Sequence, residues 1–332
     1  MSPITNCIKN KDTKTNPIWL MRQAGRYLPE FREIRKKNSD FIKLCLNSDL
    51  ASEITLQPIK RFGFDGAVIF SDILMIPYGM GQKVEFKKNF GPNLGDIDLN
   101  EFLTLSEDDF TKKLLPVYDL LKKLKKSEEL HNRDLIGFVG APWTLLVYMI
   151  NKVSPKNGLS KTFFKNNSLI NNLLEALDKF IKAHIKNQVK AGATVIQIFD
   201  SWAGLINEDF EKYLYKPTTS LVEFVKELGV PVICFPRNIK NYKSFCEIVN
   251  PNAINIDYYI DPNQIINNIK IPVQGGMDPK ILLTDKEVLA KETKRYLDIF
   301  KDHPYIFNLG HGIVPETDPN MVDYLVKMVR DY

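Results

Sequence analysis

Residues 168–204 read SLINNLLEALDKFIKAHIKNQVKAGATVIQIFDSWAG. Within them, 168–190 carries apolar side chains at i, i+3, i+4 and i+7, the stripe of an amphipathic helix. Gly192 stands where that helix must stop, as a C-terminal cap glycine does. TVIQIF (194–199) is a continuous apolar run of strand length, and DSWAG (200–204) is a polar turn containing glycine. A strand buried on both faces reads as an unbroken apolar run, which is how parallel strands under helices read.

The same grammar recurs along the chain. Apolar runs of strand length occur at 17–21 (PIWLM), 66–70 (GAVIF), 135–139 (LIGFV), 194–199, 230–235 (VPVICF), 253–256 (AINI), 271–274 (IPVQ) and 305–309 (YIFNL). Helical patterns lie between them, at 106–126, 217–228 and 286–301 besides 168–190, and Gly229 stands as a second cap. This alternation predicts an α/β chain built as a single (β/α)8 barrel of the TIM type. Residues 1–15 read as an N-terminal tail and 16–332 as one barrel domain. A doubly wound open sheet is the alternative.

In a barrel the active site is built from loops at the C-terminal ends of the strands. Those loops are MRQAGRY (21–27), SDI (71–73), GAPWT (140–144), DSWAG (200–204), PRN (236–238), DYY (257–259), GGMD (275–278) and GHG (310–312). The residues able to do chemistry concentrate there.

The totals are those of a globular protein, 44% hydrophobic and 26% charged, and the net charge of +5 comes from dispersed lysines. No basic stripe interleaved with aromatics points to nucleic acid. No apolar stretch approaches the roughly 18–20 residues of a membrane span, and the N-terminal stretch has no signal-peptide core. A cytoplasmic location is expected. Cys7, Cys45, Cys234 and Cys246 are scattered, with no CxxC and no zinc-finger spacing, so they read as free thiols and no metal is expected. KKLKK (122–126) reads as a solvated helix face.

Arginine usage is uneven. The chain has 36 Lys and 9 Arg, yet four of the nine (Arg22, Arg26, Arg32, Arg35) sit within 22–35. Arg replaces Lys where a planar fork must grip a carboxylate or phosphate at two points. Arg22 and Arg26 flank Gly25, whose freedom permits close approach or a positive φ. They suggest an anionic ligand; the competing reading is pairing with Glu30 or Glu33, which fits Arg32 and Arg35 better. Asp72 is either a helix N-cap or a carboxylate at the mouth that acts as a base, binds a metal or holds a cation. His311 lies between two glycines with no packing reason to be there. His184 lies on the apolar stripe of 168–190 and reads as a core residue, while His131 and His303 read as surface residues. Tyr148 and Trp202 are core residues or site residues, and Ser201 can donate to a ligand oxygen but sits in no GxSxG elbow. No GxGxxG, P-loop or Schiff-base lysine follows a strand.

These residues carry a family resemblance. PIWLMRQAGRYLPEFREIR (17–35) resembles the N-terminal signature of the uroporphyrinogen decarboxylase family, and GFVGAPWTLLVYM (137–149) resembles its second signature. FSDIL (70–74), DSWAG (200–204), QGGMDP (274–279) and NLGHGI (308–313) match further motifs in the same order, from about residue 16 to the C-terminus. The resemblance implies a (β/α)8 barrel, a homodimer, and decarboxylation of the four acetate arms of uroporphyrinogen III to methyls in haem biosynthesis, with no cofactor and no metal. It implies catalytic roles for Arg22, Arg26, Asp72, Tyr148 and His311. It implies substrate contacts from Arg22, Gln23, Ala24, Gly25, Arg26, Phe41, Asp72, Tyr148, Ser201 and His311. Asp72 would meet the central pyrrole N–H groups, and Tyr148, Ser201 and His311 would hold carboxylates at the rim. The identity of the proton donor stays open. Residues 73–100 form a long excursion expected to border the mouth and shield substrate.

Two other readings compete. A corrinoid-type methyltransferase would need a thiolate zinc site, often His-x-Cys, and no Cys neighbours a His here. A non-catalytic tetrapyrrole-binding protein would have no need of Asp72 facing the ring.

Overall fold

A computed structural model describes residues 1–87, 91–156 and 158–332. The strands are β1 (Gly66–Val68), β2 (Val84–Lys87), β3 (Gly91–Leu94), β4 (Asp134–Gly140), β5 (Val195–Asp200), β6 (Val232–Pro236), β7 (Ala253–Ile256), β8 (Val273–Gly275) and β9 (Tyr305–Ile306). Seven of them form one parallel sheet in the order β1-β4-β5-β6-β7-β8-β9, and β2 and β3 form a separate antiparallel pair. In the large sheet each strand pairs with the next one along the chain, so every helical crossover advances the sheet by one position and the sheet curls into a half-barrel.

The helices between the strands start and stop on the residues that capping demands. Asn166, Ser106 and Asp285 accept the N–H groups of Leu169, Asp109 and Val288 at the starts of Asn167–Ala191, Glu107–Lys125 and Lys286–Phe300. Gly192, at φ 128°, ends the first of these.

Side chains on a strand alternate between faces. Val195, Ile233, Phe235, Ala253 and Ile306 point to the concave side, where they form an inner apolar cluster with Trp19, Met21 and Ile136. Ile196, Ile198, Cys234 and Ile254 point outward into the larger core under the helices. Both faces are buried, which is why these segments read as unbroken apolar runs.

The segment 17–21 is not a strand. Pro17 has no N–H to give. The N–H of Ile18 goes to the Asp65 carboxylate (2.7 Å), that of Leu20 to the Gln23 carboxamide (3.1 Å) and that of Met21 to the Asn308 carboxamide (3.0 Å). Side-chain acceptors have replaced the neighbouring main chain. What remains of a ladder is one parallel bridge from Ile18 to Phe307, and an N–H from Asp65 to the Ile18 carbonyl (2.9 Å).

Residues 1–15, expected as a tail, hold the helix Pro3–Asn10. Its Ile4, Cys7 and Ile8 are buried and complete the inner cluster. The Asp134 carboxylate at the start of β4 caps it, accepting from the N–H groups of Ile4 (2.9 Å) and Thr5 (3.1 Å). The helix therefore covers the N-terminal ends of the strands and leaves the C-terminal ends open.

The excursion 73–100 holds a short helix (Met75–Met80) and the β2–β3 hairpin, whose tip, residues 88–90, lies outside the described residues. His184 is buried and bonded to the Tyr118 hydroxyl at 2.9 Å. His303, read as a surface residue, is half-buried with its ring against the Ile271 carbonyl (2.9 Å). Lys122, Lys123, Lys125 and Lys126 are exposed. Among the described residues no helix is long and apolar enough to cross a membrane.

Candidate active site

The C-terminal ends of the strands collect the candidate residues. Arg22 begins the turn after Met21 in a left-handed conformation (φ 61°), and Gly25 serves by close approach, since a Cβ there would lie 3.0 Å from the Arg22 carbonyl oxygen. The turn is held from beneath by Gln23, which is fully buried; its carboxamide accepts from Leu20 and donates to the Gly66 carbonyl (3.0 Å). Both ends of Gln23 are thus spent inside the protein. The Tyr27 hydroxyl donates to the Gln23 carbonyl (2.8 Å), and the Leu28 N–H closes the turn on Gly25 (3.0 Å).

The Arg22 side chain runs along Gly312, where a Cβ would come within 2.4 Å of its Cδ. This brings the first loop against the last, beside His311. Burial pulls the His311 imidazole down to about 4, and the charges of Arg22 and then Arg237 pull it further in the same direction. The ring is neutral at pH 7 and presents one donor and one acceptor.

Asp72 follows β1 by four residues. Burial pushes its carboxyl up to about 6, against the N–H of Leu74, which it accepts at 2.9 Å, and against the charge of Arg22. Its bond to Leu74 forms a local turn ahead of Met75–Met80; the N-cap position is Leu74 itself. Tyr148 lies on the helix Pro142–Asn151, and burial raises its phenol, with the Asp72 charge adding and the Arg22 charge opposing. The Arg22 guanidinium therefore acts on the Asp72 carboxyl, the Tyr148 phenol and the His311 imidazole across the mouth, and Asp72 acts on Tyr148.

Trp202 packs edge-on against Tyr148, with ring centres 6.0 Å apart. The main-chain N–H of Trp202 donates to the Thr144 hydroxyl (3.0 Å), which donates to Asp200 (2.6 Å). Ser201, beside it, is half-buried. Ser71 Oγ, Asp200 Oδ2, Trp202 Nε1 and Arg237 Nε are buried and lack a hydrogen-bond partner among the described residues. All four sit at the C-terminal ends of β1, β5 and β6. Gln57, Gln82, Gln197, Asn308 and Thr317 carry such atoms as well, so these four show unspent polar groups at this face without by themselves marking a ligand site.

Arg26 is exposed, and among the described residues no carboxylate lies within ion-pair distance of Arg22 or Arg26. Arg32 and Arg35 do not pair with Glu30 or Glu33. Arg32 donates to the carbonyls of Arg26 and Tyr27 (both 2.9 Å), and Arg35 donates to that of Asn38 (2.7 Å) and lies over Phe41. Glu30 pairs with Arg61, and Glu33 with Lys36. Ala24 and Gly25 are half-buried in the turn. Phe41 packs between Phe70 (5.7 Å) and Phe86 of β2 (4.6 Å). The hairpin is tied on its other side by the Leu94 N–H to the Lys152 carbonyl (2.7 Å), at the end of the helix bearing Tyr148.

With this geometry in view, the chain was compared with known proteins. The family model described as "Uroporphyrinogen decarboxylase (URO-D)" matches residues 1–332. The chain belongs to the uroporphyrinogen decarboxylase family. Among curated members, one from Rickettsia bellii (strain RML369-C) is 42% identical, spanning 100% of this chain and 99% of its own length. One from Rickettsia felis (strain ATCC VR-1525 / URRWXCal2) is 40% identical over 100% of this chain and 97% of its own. Of solved structures, a methyltransferase from Methanosarcina mazei superposes with TM-score 0.79 at 17% identity, covering 99% of this chain and 97% of its own. A B12-independent methionine synthase from Shewanella sp. W3-18-1 gives 0.51 at 12% identity over 96% of each. At such identities these two speak to the fold of this chain alone.

Arg237 is the residue the reading of the sequence passed over. PRN (236–238) is a mouth loop, and the scarcity of Arg that singles out Arg22 applies equally to position 237.

Proposed function

We propose that this chain removes CO2 from the four acetate arms of uroporphyrinogen III, leaving methyls and giving coproporphyrinogen III. The observation that carries this is the half-buried Asp72 at the open end of the sheet, its carboxyl within the field of Arg22, in a chain of this family. Direct loss of CO2 from an acetate arm would leave an unstabilised carbanion. Protonation of the adjacent pyrrole carbon turns the ring into an electron sink, so the electron pair of the breaking C–C bond flows into the ring and no other sink is required; the exocyclic methylene left behind takes a proton to become the methyl, and the ring carbon gives up its proton to restore the pyrrole. The protonated ring is a cation. Asp72, half-buried at the mouth and charged above about pH 6, lowers its energy electrostatically. Arg22 and Arg26, with no internal carboxylate partner among the described residues, are the forks for substrate carboxylates, and Tyr148, Ser201 and His311 supply hydrogen bonds to others. Gln23, whose carboxamide is committed to Leu20 and Gly66, contributes by holding the turn, with Ala24 and Gly25 offering main chain and Phe41 an apolar wall.

The same reading extends to architecture. Segment 17–21 acts as the eighth stave between β9 and β1, closing a (β/α)8 barrel. The chain works as one catalytic domain, with Pro3–Asn10 as its base, as a homodimer in the cytoplasm.

The test is anaerobic incubation of metal-stripped protein with uroporphyrinogen III and no additions, followed by oxidation and separation of porphyrins by carboxyl number. A ladder from the octacarboxylic to the tetracarboxylic porphyrin is expected. Unchanged octacarboxylic material from folded protein would overturn the reading.

A further inference from the structure

Arg237 follows β6 with its main chain fixed on both sides. Its N–H donates to the Asp200 carbonyl of β5 (3.1 Å), and its carbonyl accepts from Gly204 (3.0 Å). The next residue, Asn238, sits at φ 62° and gives its N–H to the Asp257 carboxylate (2.7 Å). Asp257 is already committed, accepting also from the Tyr242 hydroxyl (3.0 Å) and the Tyr259 N–H (2.9 Å). The loops pack so closely that a Cβ on Gly204 would lie 2.6 Å from Asn238 Cβ. The base of the Arg237 side chain is therefore rigidly placed.

Its head group is not spent in the same way. Nε is buried with no acceptor, and among the described residues no carboxylate lies within ion-pair distance of the guanidinium. A buried charged donor left unpaired is costly, more so than a neutral one. The charge of Arg237 acts on His311, and its guanidinium is within hydrogen-bonding reach of the Tyr258 hydroxyl, which places it at the mouth with the residues described above while Nε keeps no acceptor. An Nε–Nη edge is the edge that grips a carboxylate side-on at two points, and Nε is the atom without a partner.

We propose that Arg237 is a further substrate-binding residue, a third arginine at the mouth that takes a carboxylate of the substrate next to His311. This rests on the reading that the substrate is a polycarboxylate tetrapyrrole. It adds a contact from the β6 side to those from the first loop, so that the ring is held by arginines from two separate loops.

The experiment is steady-state kinetics on uroporphyrinogen III with wild type, Arg237→Gln and Arg237→Lys, with thermal unfolding as the check on folding. Arg237→Gln is expected to raise KM about 10- to 100-fold, the loss of a charge-assisted pair, with kcat changed less. Arg237→Lys keeps the charge and loses the fork, and is expected to recover part of that loss. A purely structural role would not split KM from kcat or respond to Lys in this graded way. If the wild type turns over and Arg237→Gln has a KM within about twofold of it, Arg237 does not hold substrate while the family reaction stands. If Arg237→Gln does not fold, Arg237→Lys decides: a KM equal to wild type overturns the two-point grip, and a raised KM supports it. A wild type that leaves uroporphyrinogen III unchanged overturns both this assignment and the reaction on which it rests.

Discussion

Arg22 lies against Gly312 so closely that any side chain at position 312 requires the arginine to move: a Cβ there would stand 2.4 Å from Arg22 Cδ and 2.6 Å from its Cγ. The glycine after His311 is thus a steric provision for an arginine almost three hundred residues earlier in the chain. Gly312→Ala should displace the Arg22 stem while leaving the sheet untouched. The expected result is a KM for uroporphyrinogen III raised about tenfold or more, the scale of one charge-assisted bond. A Gly312→Ala enzyme with wild-type KM would show that Arg22 reaches substrate without this packing.

Asp72 is buried far enough to hold its proton up to about pH 6. If its carboxylate stabilises the ring cation, kcat/KM should fall as pH drops through about 6, because kcat/KM reports the free enzyme. Asp72→Asn should lose that acid limb and lower kcat by about 10²–10³-fold, the scale of a removed electrostatic stabiliser. Full turnover by Asp72→Asn would end the proposed role.

The same groups make opposing contributions to stability. His311 and His184 are held down to about 4 and about 3 by burial, below the ordinary value of 6.5. As pH falls below 6.5 the unfolded chain takes up these protons first, so the histidines withdraw stability on acidification. Asp72 and Asp200 are raised to about 6 and about 7 from 3.8. Their folded forms bind protons more tightly, so they withdraw stability as pH rises from about 4 to 7. The two pairs offset each other in the wild type. Asp72→Asn removes one carboxyl from the balance, so its Tm at pH 7–8 should equal or exceed that of wild type and should fall more steeply towards pH 4. A Tm profile parallel to wild type would show that Asp72 is not desolvated.

How much of this was legible in the sequence depended on where each segment finds its hydrogen bonds. TVIQIF and VPVICF read as strands because Ile196 and Val195 are buried on opposite faces, and that leaves an apolar run. PIWLM reads the same way, but three of its N–H groups go to the Asp65, Gln23 and Asn308 side chains, and only that of Trp19 goes to a main-chain carbonyl, of Phe307. Apolar pattern reports burial, not who accepts the hydrogen bond. Pro3–Asn10 escaped notice because it is short and polar on its outer side, and its apolar face meets strands distant in sequence. Arg32 and Arg35 were matched to nearby glutamates by proximity along the chain, whereas the fold gives Glu30 to Arg61 and leaves the two arginines to carbonyls. Asp72, His311 and Arg22 were legible because they follow apolar runs directly, and the C-terminal ends of parallel strands converge.

The N-terminal helix offers a separation of stability from activity. Asp134 accepts from the Ser2 hydroxyl (2.7 Å), the Ile4 and Thr5 N–H groups and the Thr194 hydroxyl (2.9 Å), all at the end of the sheet away from the mouth. Asp134→Ala uncaps the helix and strands these donors, at a cost of about 2–4 kcal/mol. Thermal unfolding should show a Tm lower by several degrees. At temperatures where the variant is fully folded, kcat/KM should stay within about twofold of wild type. A large loss of kcat/KM at unchanged Tm would mean that the base of the sheet is coupled to the site.

The β2–β3 hairpin is strapped at two points that both matter to the mouth. Phe86 packs on Phe41, which packs on Phe70 at the end of β1. Asn93 bridges to Val153 and Leu94 bonds to Lys152, just past the helix that carries Tyr148. A hairpin tied to both sides of an opening restricts what enters and how much water remains there. Phe86→Ala loosens one strap without altering any group that would contact substrate carboxylates. It should raise KM several-fold, with kcat nearly unchanged, and should increase proteolytic cleavage within 79–92 in the absence of substrate. Deleting 79–92 should weaken binding further. If the deleted enzyme folds and retains both KM and kcat, the hairpin is an ornament on the rim and the shielding of substrate must come from elsewhere.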